Sequence, residues 1–314
     1  MKNYVVYALC GFAVSLLLTF AILPLLKKLK AGQYILGYVK EHYNKKGTPT
    51  MGGLAIISAI IIVCVVIYRF SDRVVNLTLI IVAGFMLVGF LDDFLKVYRR
   101  ENEGLKPYQK ILFQLAIAII AAIFCYINEI TYLNVPFSGG LNFNISWGVI
   151  PFVILVFIAT VNCVNLTDGL DGLAGGVSLV YMVFMGIILA VNGQSLSGIC
   201  FVAVGAIAAF LVFNTNKASL FMGDTGSLAL GGLIACITVF SNNSLYLPIL
   251  GITFVASGIS VIVQVIYYKR TGKRVLLMAP LHHHLQMKGL TECKISYLYS
   301  IITAICGCFL LLFL

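Results

Sequence analysis

A chain of 314 residues carries 61% hydrophobic and only 10% charged residues, with a formal net charge of +10. Soluble domains carry about 25% charged residues, so the composition excludes a soluble globular protein and points to an integral membrane one. The length would admit about two soluble domains, but a bundle of spanning helices makes residues 1–314 one polytopic membrane domain.

The first apolar run, Tyr4 to Leu26, is too long for the apolar region of a signal peptide and lacks a small-residue cleavage site. It reads as a first spanning helix, 4–26. A span needs about 20 mostly apolar residues. Further runs of this kind follow at 51–68, 75–95, 111–127, 148–164, 173–192, 196–214, 227–241, 246–268 and 296–314. Together they predict an all-α bundle of about ten transmembrane helices, with both termini on one side. The nine cysteines are scattered, mostly within these runs, and read as small buried hydrophobes rather than a disulfide or metal framework.

Every lysine and arginine except Lys2, Arg69 and Arg73 falls in a loop that follows an odd-numbered span. The positive-inside rule assigns those loops to the cytoplasm and both termini to the extracytoplasmic side. Orientation and contact with anionic membrane lipid account for the basic excess, so no nucleic acid partner is implied. The acids need not follow this rule, yet only Asp72 and Glu129 lie outside, and all four histidines lie inside. The outer loop ITYLNVPFSGGLNFNISWG alternates apolar and polar residues around Gly139-Gly140. Leu141, Phe143, Ile145 and Trp147 share one side, which predicts a small extracytoplasmic β-hairpin on the membrane surface.

Five cytoplasmic segments carry polar residues that a lipid-facing helix end would not select. In KKGTPTMGG (45–53) the glycines and Pro49 make a tight turn, where amides at the start of the next helix can bind an anion or simply enter the helix. In GFLDDFLKVYRR, Asp92 and Asp93 stand at i,i+4 and i,i+3 from Lys96 on a helix, and adjacent acids at the end of an apolar run are costly unless paired or bound to a cation. In VNCVNLTDGLDGLAGG, Asn162, Asn165, Asp168 and Asp171 recur every third residue, more polar groups than one helix cap explains. NTNKASLFMGDTGSLALGG places Asp224 on a glycine-flanked turn at a helix start, where an N-cap is the ordinary role. MAPLHHHLQMKG supplies His282, His283 and His284. Consecutive histidines cannot share a helix face, which argues against a three-histidine metal site and for an irregular loop with one or two rings aimed at an anion. Carboxylates without nearby cysteine favour Mg²⁺ or Mn²⁺ over zinc, and Mg²⁺ completes its shell with water and substrate phosphates. Acids for a metal and cations for an anion at headgroup level suggest phosphoryl transfer involving a lipid phosphate.

The motifs KGTPTMGG, LDDFLK, NLTDGLDGLAGG, FMGDTGSLALGG and APLHHH, in this order, resemble the phospho-N-acetylmuramoyl-pentapeptide transferase family from about Lys45 to Gly289. The DGLDGL and GDTGS elements alone would also fit the wider superfamily of polyprenyl-phosphate hexosamine-1-phosphate transferases. The resemblance implies transfer of phospho-MurNAc-pentapeptide from UDP-MurNAc-pentapeptide to undecaprenyl phosphate, giving lipid I and UMP with Mg²⁺ at the bacterial cell membrane, and often a homodimer. It implies Asp224 as the principal Mg²⁺ ligand and Asp92 and Asp93 as the acidic pair near the phosphates. Asn165, Asp168 and Asp171 would line the nucleotide site, with Phe221 stacking on uracil, Asn214 nearby and Gln264 also matching. Lys45, Thr50, Lys96 and His282 to His284 would surround the pyrophosphate and the sugar-peptide. The family usually has Glu where this chain has Gln286, and beyond Gly289 only a hydrophobic span matches.

Direct attack by the acceptor phosphate, oriented or deprotonated by Asp92 or Asp93, is the expected mechanism; its rival makes an aspartate the nucleophile of a phospho-enzyme, and the sequence does not choose between them. A transporter is the rival class, since intramembrane acids often mark ion pathways, but such sites sit near the midplane of repeated halves. Here no repeat is visible, and at 1.5 Å per residue Asp92 lies roughly 22–27 Å from the outer end of its span. A relative that uses UDP-N-acetylglucosamine shares the chemistry and is set apart by the histidine loop and the lysine of LDDFLK.

Overall fold

The computed structural model describes residues 2–29, 47–101 and 103–313. The helices are α1 (Lys2–Lys28), α2 (Gly53–Tyr68), α3 (Arg73–Arg99), α4 (Pro107–Ile127), α5 (Val149–Thr167), α6 (Leu173–Val191), α7 (Leu196–Asn214) and α8 (Gly223–Phe240). A single turn α9 (Leu247–Leu250), then α10 (Ile252–Thr271), the short α11 (Leu281–Met287) and α12 (Glu292–Leu311) complete the chain. Among the described residues nine helices are long and apolar enough to cross a membrane, while α2 has only 16 residues. Every expected span has its helix.

Most helices extend a few residues beyond the expected spans, and two of the changed boundaries matter here. The third span, expected to end at 95, continues to Arg99, so Asp92 and Asp93 lie well inside α3 rather than at its end. The ninth, expected from 246, breaks at Gly251, whose N–H closes the α9 turn on the Leu247 carbonyl at 2.7 Å, and the long helix begins only at Ile252. The outer hairpin forms as expected: β1 (Tyr132–Asn134) pairs antiparallel with β2 (Asn142–Asn144) in the register Tyr132 to Asn144. Leu141, Phe143 and Trp147 on it are exposed.

Helix α8 is the axis of the bundle. Every residue from Thr225 to Phe240 is buried, against α3 and α5 above all and also α2. Lipid tails are as apolar as leucine, so helices in a membrane gain little from burying apolar surface and associate through close packing. Glycine supplies that closeness here. A Cβ on Gly53 of α2 would overlap the Gly226 backbone of α8, and one on Gly89 of α3 would overlap the Asp224 carbonyl.

Side-chain bonds define the two ends of the bundle. Tyr4 of α1 receives a hydrogen bond from Ser197 of α7, Ser195 donates to Asp72 before α3, and Gln194 donates to Ser241 after α8. Asn134 of the hairpin donates its N–H to the Asn242 carbonyl, and Phe137 packs on Phe309 of α12 and on Phe313 just beyond it. The N-terminal end of α1 and the C-terminal end of α12 therefore share one end of the bundle. The polar motifs of the sequence gather at the other.

Gly89 tests this packing. Gly89→Ala should lower the thermal stability of the detergent-solubilised protein by an amount typical of overpacking, about 1–3 kcal/mol. An unchanged melting temperature would mean that α3 and α8 do not need their backbones in contact.

Candidate active site

Three carboxylates meet where α3 passes the start of α8. Asp92 is fully buried, Asp93 nearly so, and the Asp224 side chain is 16% exposed. One oxygen from each lies within 4.8 Å of the others, an oxygen-only set able to hold a metal ion. Two ammonium groups compensate the charge. Lys96 Nζ lies 2.6 Å from Asp92 Oδ2, 2.9 Å from Asp224 Oδ2 and 3.9 Å from Asp93 Oδ1. Lys110, from the first turn of α4, reaches the same two oxygens of Asp92 and Asp224 at 3.0 and 2.6 Å. The helical spacing of Asp92, Asp93 and Lys96 thus forms the expected pairs.

The adjacent acids are not equivalent. Asp93 Oδ2 accepts from the Thr225 N–H (2.9 Å) and the Thr225 hydroxyl (2.7 Å), and its Oδ1 accepts from the Asp224 N–H (3.2 Å). It is spent on holding the turn that carries Asp224. Asp92 Oδ1 accepts from the Leu105 N–H at 2.8 Å, which leaves Oδ2 facing the lysines. Asp224 does not cap its helix. Its Oδ1 accepts from Asn165 Nδ2 at 2.8 Å, and the same amide bonds Ser227 Oγ at 2.8 Å.

The polar row of residues 162–171 divides. Asn162 turns to Gln114 and its own helix (both 2.7 Å), away from the acids, while Asn165 joins them. Asp171 Oδ2 accepts from the Ala218 N–H at 2.9 Å. Asn214, at the end of α7, accepts from the Gly172 N–H at 3.0 Å and donates to the Leu220 carbonyl at 2.9 Å. Two loops, 168–172 and 215–222, are therefore strapped together by Asp171 of the first and by Asn214, the last residue of α7, ahead of the second. Gly172 makes the turn with φ 71°, a backbone conformation that suits glycine. Asp168 is half-buried on this turn, and burial together with the charges of Asp224, Asp93 and Asp171 pushes its carboxyl up to about 8.

The histidine segment is a correction to the expected irregular loop. It forms α11, entered through Pro280, and the triplet separates by helical direction. His282 is buried, and a Cβ on Gly169 would collide with its ring and crowd that of His283. Both ring nitrogens of His282 lack a partner among the described residues, and burial beside His283 depresses it to about 3, so it is a neutral imidazole. His283 Nδ1 lies 3.1 Å from the Gln286 carbonyl oxygen, which accepts only, so the Nδ1–H tautomer makes this bond. His284 points elsewhere, accepting from the Leu277 N–H at 3.1 Å. Gln264 holds the preceding loop, its oxygen accepting from the N–H groups of Val275 and Leu276.

The turn before α2 departs from the anion-binding option. Gly52 and Gly53 donate their N–H groups to the Phe221 and Met222 carbonyls, and Phe221 returns one to Pro49. These amides are committed to joining the 47–53 and 221–223 segments. That junction buries Thr50 beside Gly223 and Asp93 and leaves the Phe221 ring half-buried. Lys45 lies outside the described residues.

Residues 75–242 match the family model described as glycosyl transferase family 4, and residues 45–57 match signature 1 of phospho-N-acetylmuramoyl-pentapeptide-transferase. A protein of that name from Staphylococcus carnosus is 41% identical over 312 residues, 96% of this chain and 96% of its own. The chain belongs to the phospho-N-acetylmuramoyl-pentapeptide-transferase family. Members named alike from Clostridium perfringens and Clostridium novyi are 43% and 40% identical over 298 and 309 residues. They cover 94% and 97% of this chain and 93% and 95% of their own lengths.

Within this transferase, sequence reasoning missed Lys110, Thr225 and Ser227. A lysine at the mouth of an apolar helix looks like an orientation charge, and only folding shows that Lys110 meets acids far away in sequence. Thr225 and Ser227 were visible within GDTGS but carried no charge to single them out.

Asp168 yields a test of the electrostatics. Its proton is held more tightly in the folded chain than in an unfolded one, where a carboxyl titrates near 3.9. The folded state thus binds more protons between the two values, and stability falls as pH rises through that window. Asp168→Asn should flatten the fall in melting temperature between about pH 5 and pH 8. A variant that keeps the wild-type slope would show that this carboxyl is not perturbed.

Proposed function

We propose that the chain transfers phospho-MurNAc-pentapeptide from UDP-MurNAc-pentapeptide to undecaprenyl phosphate, producing lipid I and UMP on the cytoplasmic face of the bacterial cell membrane. The observation that carries this reading is that Lys96 and Lys110 each pair at once with Asp92 and Asp224. Family membership supplies the substrates. The distribution of lysine and arginine supports the cytoplasmic placement and puts both termini outside.

An oxygen of the lipid phosphate forms a bond to the sugar-bearing phosphorus, and the bridging P–O bond to UMP breaks. One pyrophosphate replaces another, so the reaction is close to balanced. The difficulty is bringing one anion against another, and positioning and charge stabilisation supply most of the catalysis. The three carboxylates suit a Mg²⁺ ion in donor type and spacing. Asp224 would hold it, and when bound it offsets charge on the pyrophosphate. Lys96 and Lys110 present their ammonium groups to the phosphates from the partly exposed rim of the cluster. Asp92 Oδ2 orients the acceptor phosphate or takes its proton, since both Asp93 oxygens are engaged by Thr225 and Asp224. This division of labour favours direct attack. His282, being neutral, donates one N–H but brings no positive charge, and His283 lies beside it.

The strapped loops 168–172 and 215–222 hold the nucleotide, with the Phe221 ring stacking on uracil. For the acceptor tail, an open apolar groove of about 390 Å³ runs along α10 past Ile252, Ile259 and Val263 to Leu276 and Leu281. It ends one residue from His282, so a polyprenyl chain lying there would bring its phosphate to the site.

The test is UMP release by purified protein with Mg²⁺ and undecaprenyl phosphate, offering UDP-MurNAc-pentapeptide and UDP-N-acetylglucosamine separately. Only the muramoyl-pentapeptide donor should be used, Asp224→Asn should abolish turnover, and Asp92→Asn should cost on the order of 100-fold or more in kcat. Release from the other donor alone would reject the assignment, and full activity in Asp92→Asn would reject its role.

A further inference from the structure

The last helix lies beyond the polar motifs of the sequence, yet its first turns reach into the site. Glu292 Oε2 accepts from the Asp171 N–H at 3.1 Å, and Ser296 Oγ donates to the Asp171 carbonyl at 2.9 Å. Both peptide groups of Asp171 are thereby held by α12. The next amide, Gly172 N–H, is held by Asn214 of α7, and the Asp171 carboxylate grips the Ala218 N–H. Gly176, one turn into α6, leaves room for Ser300, since a Cβ there would come 3.0 Å from its hydroxyl. One face of α12, with Glu292, Ser296 and Ser300 at four-residue intervals, thus lies along the entry to α6.

We infer that Glu292 and Ser296 are positioning residues for the nucleotide-sugar: they hold the 168–172 turn in its binding shape from a helix that takes no part in the carboxylate cluster. This rests on the proposed function, because it assigns the turn to nucleotide binding. The physical reason is preorganisation. A loop already fixed in its bound form loses little entropy when the ligand arrives, whereas an unpaired buried N–H and a loosened turn must be re-ordered at the expense of affinity. The effect belongs to binding of one substrate and not to the chemical step. Glu292 also sits in the first turn of α12, where any acid favours the helix dipole, and that ordinary role predicts something different. The dipole needs the negative charge, while the Asp171 N–H needs only an acceptor oxygen, which glutamine retains.

The experiment uses the full chain in detergent and measures kcat and KM separately for each substrate in Glu292→Ala, Glu292→Gln and Ser296→Ala. Glu292→Ala should raise KM for UDP-MurNAc-pentapeptide by about tenfold, the equivalent of one lost hydrogen bond. Its kcat and its KM for undecaprenyl phosphate should stay within about twofold. Glu292→Gln should stay near wild type, and Ser296→Ala, the milder change, should raise the same KM by a smaller factor. Equal impairment in the Ala and Gln variants would show that Glu292 acts through its charge and overturn the inference. So would a fall in kcat with the nucleotide KM unchanged, or Ala variants indistinguishable from wild type. Should Glu292→Ala fail to fold, the Glu292→Gln and Ser296→Ala results decide by the same criteria. If the wild type instead used another sugar nucleotide, the substrate assignment would fail, while the Glu292 comparison could still be read with that donor.

Discussion

Two ammonium groups shared among three carboxylates at the end of an apolar bundle are what the rest of the structure is arranged around. Charges taken out of water at membrane depth are costly unless paired. Asp92 is fully buried, so it is tolerable only because Lys96 and Lys110 stand on it and the Leu105 N–H occupies its other oxygen. The same lysines bind Asp224, which makes them a bridge between α3, α4 and α8. Removing one partner of such a network leaves an uncompensated buried charge, a much larger cost than the net worth of the intact pair. A divalent cation with substrate phosphates would suit this arrangement, the carboxylates taking the metal and the lysines the anion.

That pairing depends on backbone proximity. The acids of α3 reach Asp224 because Gly89 lets α3 lie against the Asp224 carbonyl, and Gly53 does the same for α2 against Gly226. Asp93 then ties the α8 turn to α3 through Thr225. Around this rigid centre the 168–172 and 215–222 loops are strapped by reciprocal side chains and braced by α12. A wall built from loops thus gains the stiffness of the helices that hold it.

The parts of this that were legible in the sequence are those written in local spacing. Apolar run length located every long helix of the bundle, alternation around Gly139-Gly140 located the hairpin, and the i,i+3 and i,i+4 separations of Asp93 and Asp92 from Lys96 foretold their ion pairs. What depends on distant partners was not legible. Lys110 looked like an orientation charge, Asn162 looked like a member of the polar row until it turned to Gln114, and Gln264 proved to hold a loop. The amides at Gly52 and Gly53 could not be known to be spent on Phe221 and Met222. The histidine triplet was expected in an irregular loop because three rings cannot share a helix face. It forms a helix all the same, since the three rings have different neighbours. Glu292 lay beyond the motifs, and nothing in its neighbours tied it to a turn so far back in the chain.

The most direct test of the central arrangement is anomalous diffraction from crystals of the protein grown with Mn²⁺ in place of Mg²⁺. A single peak within the carboxylate cluster with Asp224 as a ligand, and with Lys96 and Lys110 displaced from the oxygens they share, would establish the carboxylate cluster as the metal centre. A peak held by other residues, or Mn²⁺ absent from the cluster while both lysines keep their ion pairs, would contradict it.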